Sequence, residues 1–125
     1  MVTSVKRTAR SDRARLGAGT ASPARDPILK RLRRALDELY GDRLERVVLF
    51  GSRARGNANK ESDYDVAAFL NELADRWREL DRLAELRADF LEDADVFLDA
   101  KPYSAGAYRD RTTLMREIRR EGVDL

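Results

Sequence analysis

The stretch Leu49-Phe50-Gly51-Ser52-Arg53-Ala54-Arg55-Gly56, followed by Ser62-Asp63-Tyr64-Asp65-Val66, restricts the folds open to this chain more than any other feature. The apolar run Val47 to Phe50 stops at Gly51-Ser52, and a second apolar run begins at Val66, directly after Asp65. Apolar runs of this length, bounded by glycine and polar residues, read as strands. Side chains at i and i+2 on a strand share a face, so Asp63 and Asp65 project together and Tyr64 turns away. Two carboxylates on one face repel unless a cation lies between them, and hard divalent ions such as Mg²⁺ take oxygen ligands. Gly51-Ser52 precedes a short predicted helix, Arg53 to Arg55. Free N–H groups at a helix start hold phosphate oxygens, and a glycine lets a phosphate approach the backbone closely. Ser52 adds a hydroxyl donor, and Arg53 and Arg55 add positive charge. The stretch predicts a site for a metal and a phosphate.

Several chemistries are excluded by what the chain lacks. It has no cysteine and no histidine. That removes disulfides, zinc sites built on thiolate or imidazole, and Ser-His-Asp or Cys-His catalysis. A catalytic base must then be a carboxylate, lysine, tyrosine or water. Gly51 to Gly56 matches the G-x₄-G frame of a P-loop, but Asn57-Ala58 stand where that mechanism needs Lys-Ser/Thr. No apolar run approaches the ~20 residues that span a bilayer, and no secretory leader is recognisable. A cytoplasmic protein without a membrane partner is expected. The charge is segregated: residues 1–26 hold six of the 25 basic and two of the 23 acidic residues, which leaves the remainder acidic by two charges. Met1 to Arg25 has no apolar period and reads as a disordered basic tail, with one domain over 26–125. Contact with nucleic acid is expected, if anywhere, through this tail.

The elements follow in the order α-β-β-α-β-α. Asp26-Pro27 opens a helix, with Asp as N-cap and Pro at the first helical position. Ile28, Leu32, Ala35, Leu36 and Leu39 form its inner face, and Gly41 ends it. Strands are predicted at Arg46–Phe50, Tyr64–Leu70 and Ala94–Leu98. A helix capped by Asn71 runs between the last two, with Leu73, Trp77, Leu80, Ala84 and Leu91 inward. Pro102 is read as a break, and a last helix over Thr113–Glu121 stops at Gly122. The expected fold class is α/β (α+β): a small mixed sheet with helices packed mainly on one side.

Gly-Ser-Arg-Ala-Arg-Gly followed by Ser-Asp-Tyr-Asp-Val resembles the Gly-Ser…Asp-x-Asp signature of the DNA polymerase β-like nucleotidyltransferase superfamily, in its minimal (MNT) branch. The resemblance runs from about Pro27 to the C-terminus, and the tail from Leu114 to Val123 also looks like the closing helix of such domains. It implies Asp63 and Asp65 as catalytic metal ligands, with a third carboxylate on a later strand. Ala94-Asp95-Val96 fits that setting, so Asp95 is carried over as the third acid and proton acceptor. Asp93 and Asp99 compete for the role. Strand parity does not separate the three, and only position along the predicted strand favours Asp95. Gly51, Ser52, Arg53, Arg55 and Ser62 are carried over as the nucleotide-binding set. The resemblance implies two Mg²⁺ ions, ATP or another nucleoside triphosphate as substrate, and transfer of a nucleoside monophosphate to a hydroxyl. It also implies a partner, since MNT proteins commonly pair as antitoxins with HEPN-domain toxins and can transfer AMP to them. A small-molecule nucleotidyltransferase of the aminoglycoside type and a non-catalytic antitoxin module are the alternatives.

Overall fold

The computed structural model describes residues 22–59 and 61–125; of the tail expected over residues 1–25, residues 1–21 lie outside them. A 3₁₀ turn, Pro23–Arg25, leads into α1, Pro27–Tyr40. Asp26 caps α1 by accepting the Ile28 N–H at 2.9 Å, and Gly41 stops it with φ 55°. Leu29, Leu32, Leu36 and Tyr40 form the buried stripe of α1, with Ile28 and Leu39 partly buried at its margin. β1 is Leu44–Phe50, and α2 is the single turn Ser52–Arg55. β2 is Tyr64–Leu70, α3 is Arg76–Ala94, β3 is Leu98–Ser104, α4 is Thr113–Glu121, and β4 is Val123–Asp124.

The sheet order is β3-β2-β1-β4. β1 is antiparallel to both β2 and β4, whereas β2 and β3 run parallel, joined by the α3 crossover. This mixed sheet is coated unequally. Val47, Leu49, Val66, Leu70, Leu98 and Ala100 face the large core beneath α1 and α3. Val48, Ala67 and Phe69 face the smaller cluster closed by Met115 and Ile118 of α4. The two long helices therefore share one side, and α4 covers part of the other.

Three sequence expectations move. α3 begins at Arg76, not Glu72, because Asp75 supplies the cap by accepting the Arg78 N–H at 3.1 Å. The Asn71 N–H is instead bonded to the Arg43 carbonyl in a turn at the end of β2. The inner face of α3 is Glu79, Leu83 and Phe90, so Trp77 stands 79 % exposed and Leu91 is also exposed. Glu79 is buried, but Arg43 at 3.1 Å and Arg82 at 3.4 Å pair with it. A buried carboxylate with two guanidinium partners is tolerated where a lone one is not. The third strand begins at Leu98 rather than ending there, and Pro102 lies inside it. β3 is an edge strand, where a residue facing away from the neighbouring strand has no ladder bond to donate.

Candidate active site

The C-terminal end of β1 and the N-terminal ends of β2 and β3 meet at one end of the sheet. Register then decides which acids meet. Phe50 pairs with Asp65, and Asp65 pairs with Asp99 on the parallel neighbour. Paired residues on adjacent strands point to the same face, so Asp65 and Asp99 stand side by side, with Asp63 two residues before Asp65. Burial pushes the half-buried Asp65 carboxyl above its ordinary range, and the charges of Asp99 and then Asp63 push it further, against Lys101 and Arg55. Lys101, two residues beyond Asp99 on the same face, has its Nζ 3.7 Å from Asp99 Oδ2.

Gly51 fits against this group. Its φ is 77°, and a Cβ there would collide with Asp65 Oδ2. Both the left-handed backbone and the missing side chain are therefore required. The backbone reverses over Gly51, whose carbonyl accepts the Ala54 and Arg55 N–H groups at 3.1 Å. Ser52 opens α2, half-buried. The Arg55 guanidinium pairs with Glu121 of α4 at 3.5 Å. Arg53 donates to the Ser62 carbonyl at 3.0 Å and the Asn59 carbonyl at 3.3 Å, so it also holds the loop before β2. Ser62 Oγ accepts the Asn59 N–H at 3.1 Å.

Asp63 and Asp65 are brought together as expected, but Asp95 is not. Asp95 lies before β3, as the exposed residue that ends α3 in the left-handed conformation, φ 55° and ψ 41°. Helix α3 runs on to Ala94, so the Ala94-Asp95-Val96 pattern belongs to a helix end rather than to a strand. The strand position goes to Asp99 in Leu98-Asp99-Ala100. Asp93 is engaged elsewhere, 3.0 Å from Arg31 of α1. Alternation alone does not reveal this: Leu98, Ala100 and Pro102 take one parity and Asp99, Lys101 and Tyr103 the other, but Ala94 and Val96 continue the first and Asp93 and Asp95 the second.

The donor set of Asp63, Asp65 and Asp99 is all oxygen, and its like charges press on one another, which suits a hard divalent cation. Among the described residues no three acids converge into a ready-made metal cage, so such an ion would complete its shell from non-protein oxygens. That fits Mg²⁺, which keeps several waters or phosphate oxygens as ligands.

A mixed sheet carrying paired strand-mouth acids beneath a glycine turn, with helices across one face, defines the nucleotidyltransferase fold. The chain belongs to the nucleotidyltransferase domain family, whose model matches residues 29–112, and it is a nucleotidyltransferase. It is 26% identical over 98 residues to a Methanocaldococcus jannaschii protein provisionally named a protein adenylyltransferase, covering 78% of this chain and 95% of that one. A crystallised toxin–antitoxin with AMP-PNP shares the fold at TM-score 0.53 and 21% identity, covering 76% of this chain and 70% of that one. A mutant of the MntA–HpeT toxin–antitoxin matches at TM-score 0.52 and 23% identity, over 77% and 70%.

Proposed function

We propose that this protein transfers AMP from ATP to a hydroxyl on a partner protein, as the antitoxin of a HEPN-type toxin pair. The observation that carries the reading is the pairing of Asp65 with Asp99 in register, with Asp63 beside them and Gly51 closed over Asp65. The adenylyl group and the protein acceptor are supported by the name of the archaeal relative. The toxin partner is supported by the toxin–antitoxin structures that share the fold.

Asp63, Asp65 and Asp99 would hold Mg²⁺, two ions in a full site, which neutralises triphosphate charge and acidifies the acceptor hydroxyl. Gly51 and Ser52 would receive the β- and γ-phosphates on their N–H groups and hydroxyl, with Arg55 and Lys101 at the margin. The acceptor oxygen bonds to the α-phosphorus, the bond from that phosphorus to the bridging oxygen breaks, and pyrophosphate leaves. The acceptor proton passes to Asp99 Oδ. Positioning and charge neutralisation supply most of the rate in such transfers. The test measures radiolabel transfer from α-labelled ATP to the toxin from the neighbouring reading frame. Asp63→Asn, Asp65→Asn and Asp99→Asn abolish transfer, while Asp93→Asn and Asp95→Asn retain it. Transfer surviving in Asp99→Asn but lost in Asp95→Asn would overturn the assignment. Labelling of a small-molecule acceptor instead of protein would replace the partner.

A further inference from the structure

Tyr64 lies between Asp63 and Asp65 and points the opposite way, into the core beneath α1. An aliphatic side chain would fill that space equally well, but Tyr64 makes a directed contact. Its hydroxyl donates to Asp26 Oδ2 at 2.7 Å, in a buried hydrogen bond. The other oxygen of Asp26 is already fixed by the Ile28 N–H at 2.9 Å. The Asp26 carboxylate therefore cannot follow Tyr64 if β2 shifts. From the other side the Arg53 guanidinium lies 3.9 Å from the Tyr64 ring centroid. The same guanidinium reaches the Ser62 and Asn59 carbonyls. The Tyr64 N–H donates to the Phe97 carbonyl at 2.8 Å, which joins this point to the start of β3.

We infer that Asp26, Tyr64 and Arg53 are positioning residues, a latch that fixes the register and direction of Asp63 and Asp65. The residue before Asp63 is clamped to α2, the residue after it to the N-cap of α1, and the same backbone to the approach to Asp99. Strand register needs such a device here. A slip of one residue turns every side chain of a strand to the other face, which would bury Asp65 and expel Tyr64. The inference rests on the reading above that these acids hold the metal. Arg53 accordingly acts on the loop, whatever it contributes to phosphate.

The experiment measures Mn²⁺ binding by electron paramagnetic resonance, with ATP present, in the full chain. Four proteins are compared: wild type, Tyr64→Phe, Asp26→Ser and Leu36→Val. Ser keeps a cap acceptor at residue 26 but is too short to reach the Tyr64 hydroxyl, so Asp26→Ser serves if Tyr64→Phe does not fold. Leu36→Val loosens the core of α1 away from the site. Both latch variants are expected to weaken Mn²⁺ about tenfold, the scale for outer supports of a metal site. Leu36→Val should lower the melting temperature with Mn²⁺ affinity unchanged. Wild-type affinity in both latch variants would overturn the latch and leave the metal reading standing. If wild type itself binds no Mn²⁺, the metal reading fails, and hydrogen exchange at the Asn59, Glu61 and Ser62 amides decides the latch. Faster exchange in Tyr64→Phe than in Leu36→Val supports it, and equal exchange overturns it.

Discussion

At the scale of single residues, Asp65 couples stability to pH. Its carboxyl binds a proton more tightly in the folded chain than the ordinary value of 3.8. A raised folded value adds stability below that pH, and the gain is lost as pH rises through the folded value. Asp65→Asn removes the loss. In metal-free buffer its melting temperature should exceed wild type, by a margin that grows from pH 4 to pH 7. A margin that stays flat across the range would show that Asp65 feels no unfavourable charge. Gly51 is the complementary position. Gly51→Ala forces a side chain onto Asp65 and into a left-handed backbone, a strain of order 1–3 kcal/mol. Calorimetric titration with Mg·ATP should show a larger loss for Gly51→Ala than for Ser52→Ala. The glycine turn and the neighbouring acid pair were legible in the sequence, because residue type and spacing set them at the adjoining strand ends. The acid that pairs with Asp65 was not. Asp93, Asp95 and Asp99 share parity, and only the end of α3, set by the left-handed Asp95, tells them apart.

Among the elements, β2 was readable from end to end because an unbroken apolar run between polar flanks admits one length. Helix α3 was harder to read. Two apolar stripes run along it, and the heavier one, with Trp77 and Leu91, faces solvent. The buried stripe contains Glu79, a residue no hydrophobic pattern would place inside. Arg43, 36 positions earlier in the chain, makes it tolerable. Trp77→Ser should leave the unfolding free energy from denaturant titration within about 0.5 kcal/mol of wild type, as for an ordinary surface change. Leu83→Ala should cost about 2–5 kcal/mol. The reverse order would mean that α3 is turned over. Residue 122, the C-cap of α4, is glycine for a reason of space. The backbone there is extended, φ −72°, but a Cβ would strike the Ile118 carbonyl and Val48 Cγ1. Gly122→Ala should therefore destabilise by about 1–3 kcal/mol in chemical denaturation, the usual cost of overpacking, where a merely conformational glycine would show almost none.

For the whole molecule, the sheet divides a large core from a small one. Mixed topology was expected from the crossover between β2 and β3, but the closing of β1's other edge by Val123–Asp124 was not, since two residues carry no strand period. The small side is closed by Met115 and Ile118 from α4 with Tyr103, Ala107 and Tyr108 beside them, while β4 adds two paired residues at the sheet edge. Segments with few buried apolar contacts open at lower free energy than the global core. Amides of α4 and β4 should exchange with deuterium earlier than those of α1 and β2; simultaneous exchange would show one cooperative unit. Opening of α4 and β4 uncovers the outer edge of Val47-Val48-Leu49, a row of unpaired backbone groups on an apolar strand. Such an edge recruits another chain. A weakened α4 should therefore announce itself first as turbidity on storage, while the helical signal of α1 and α3 is still intact.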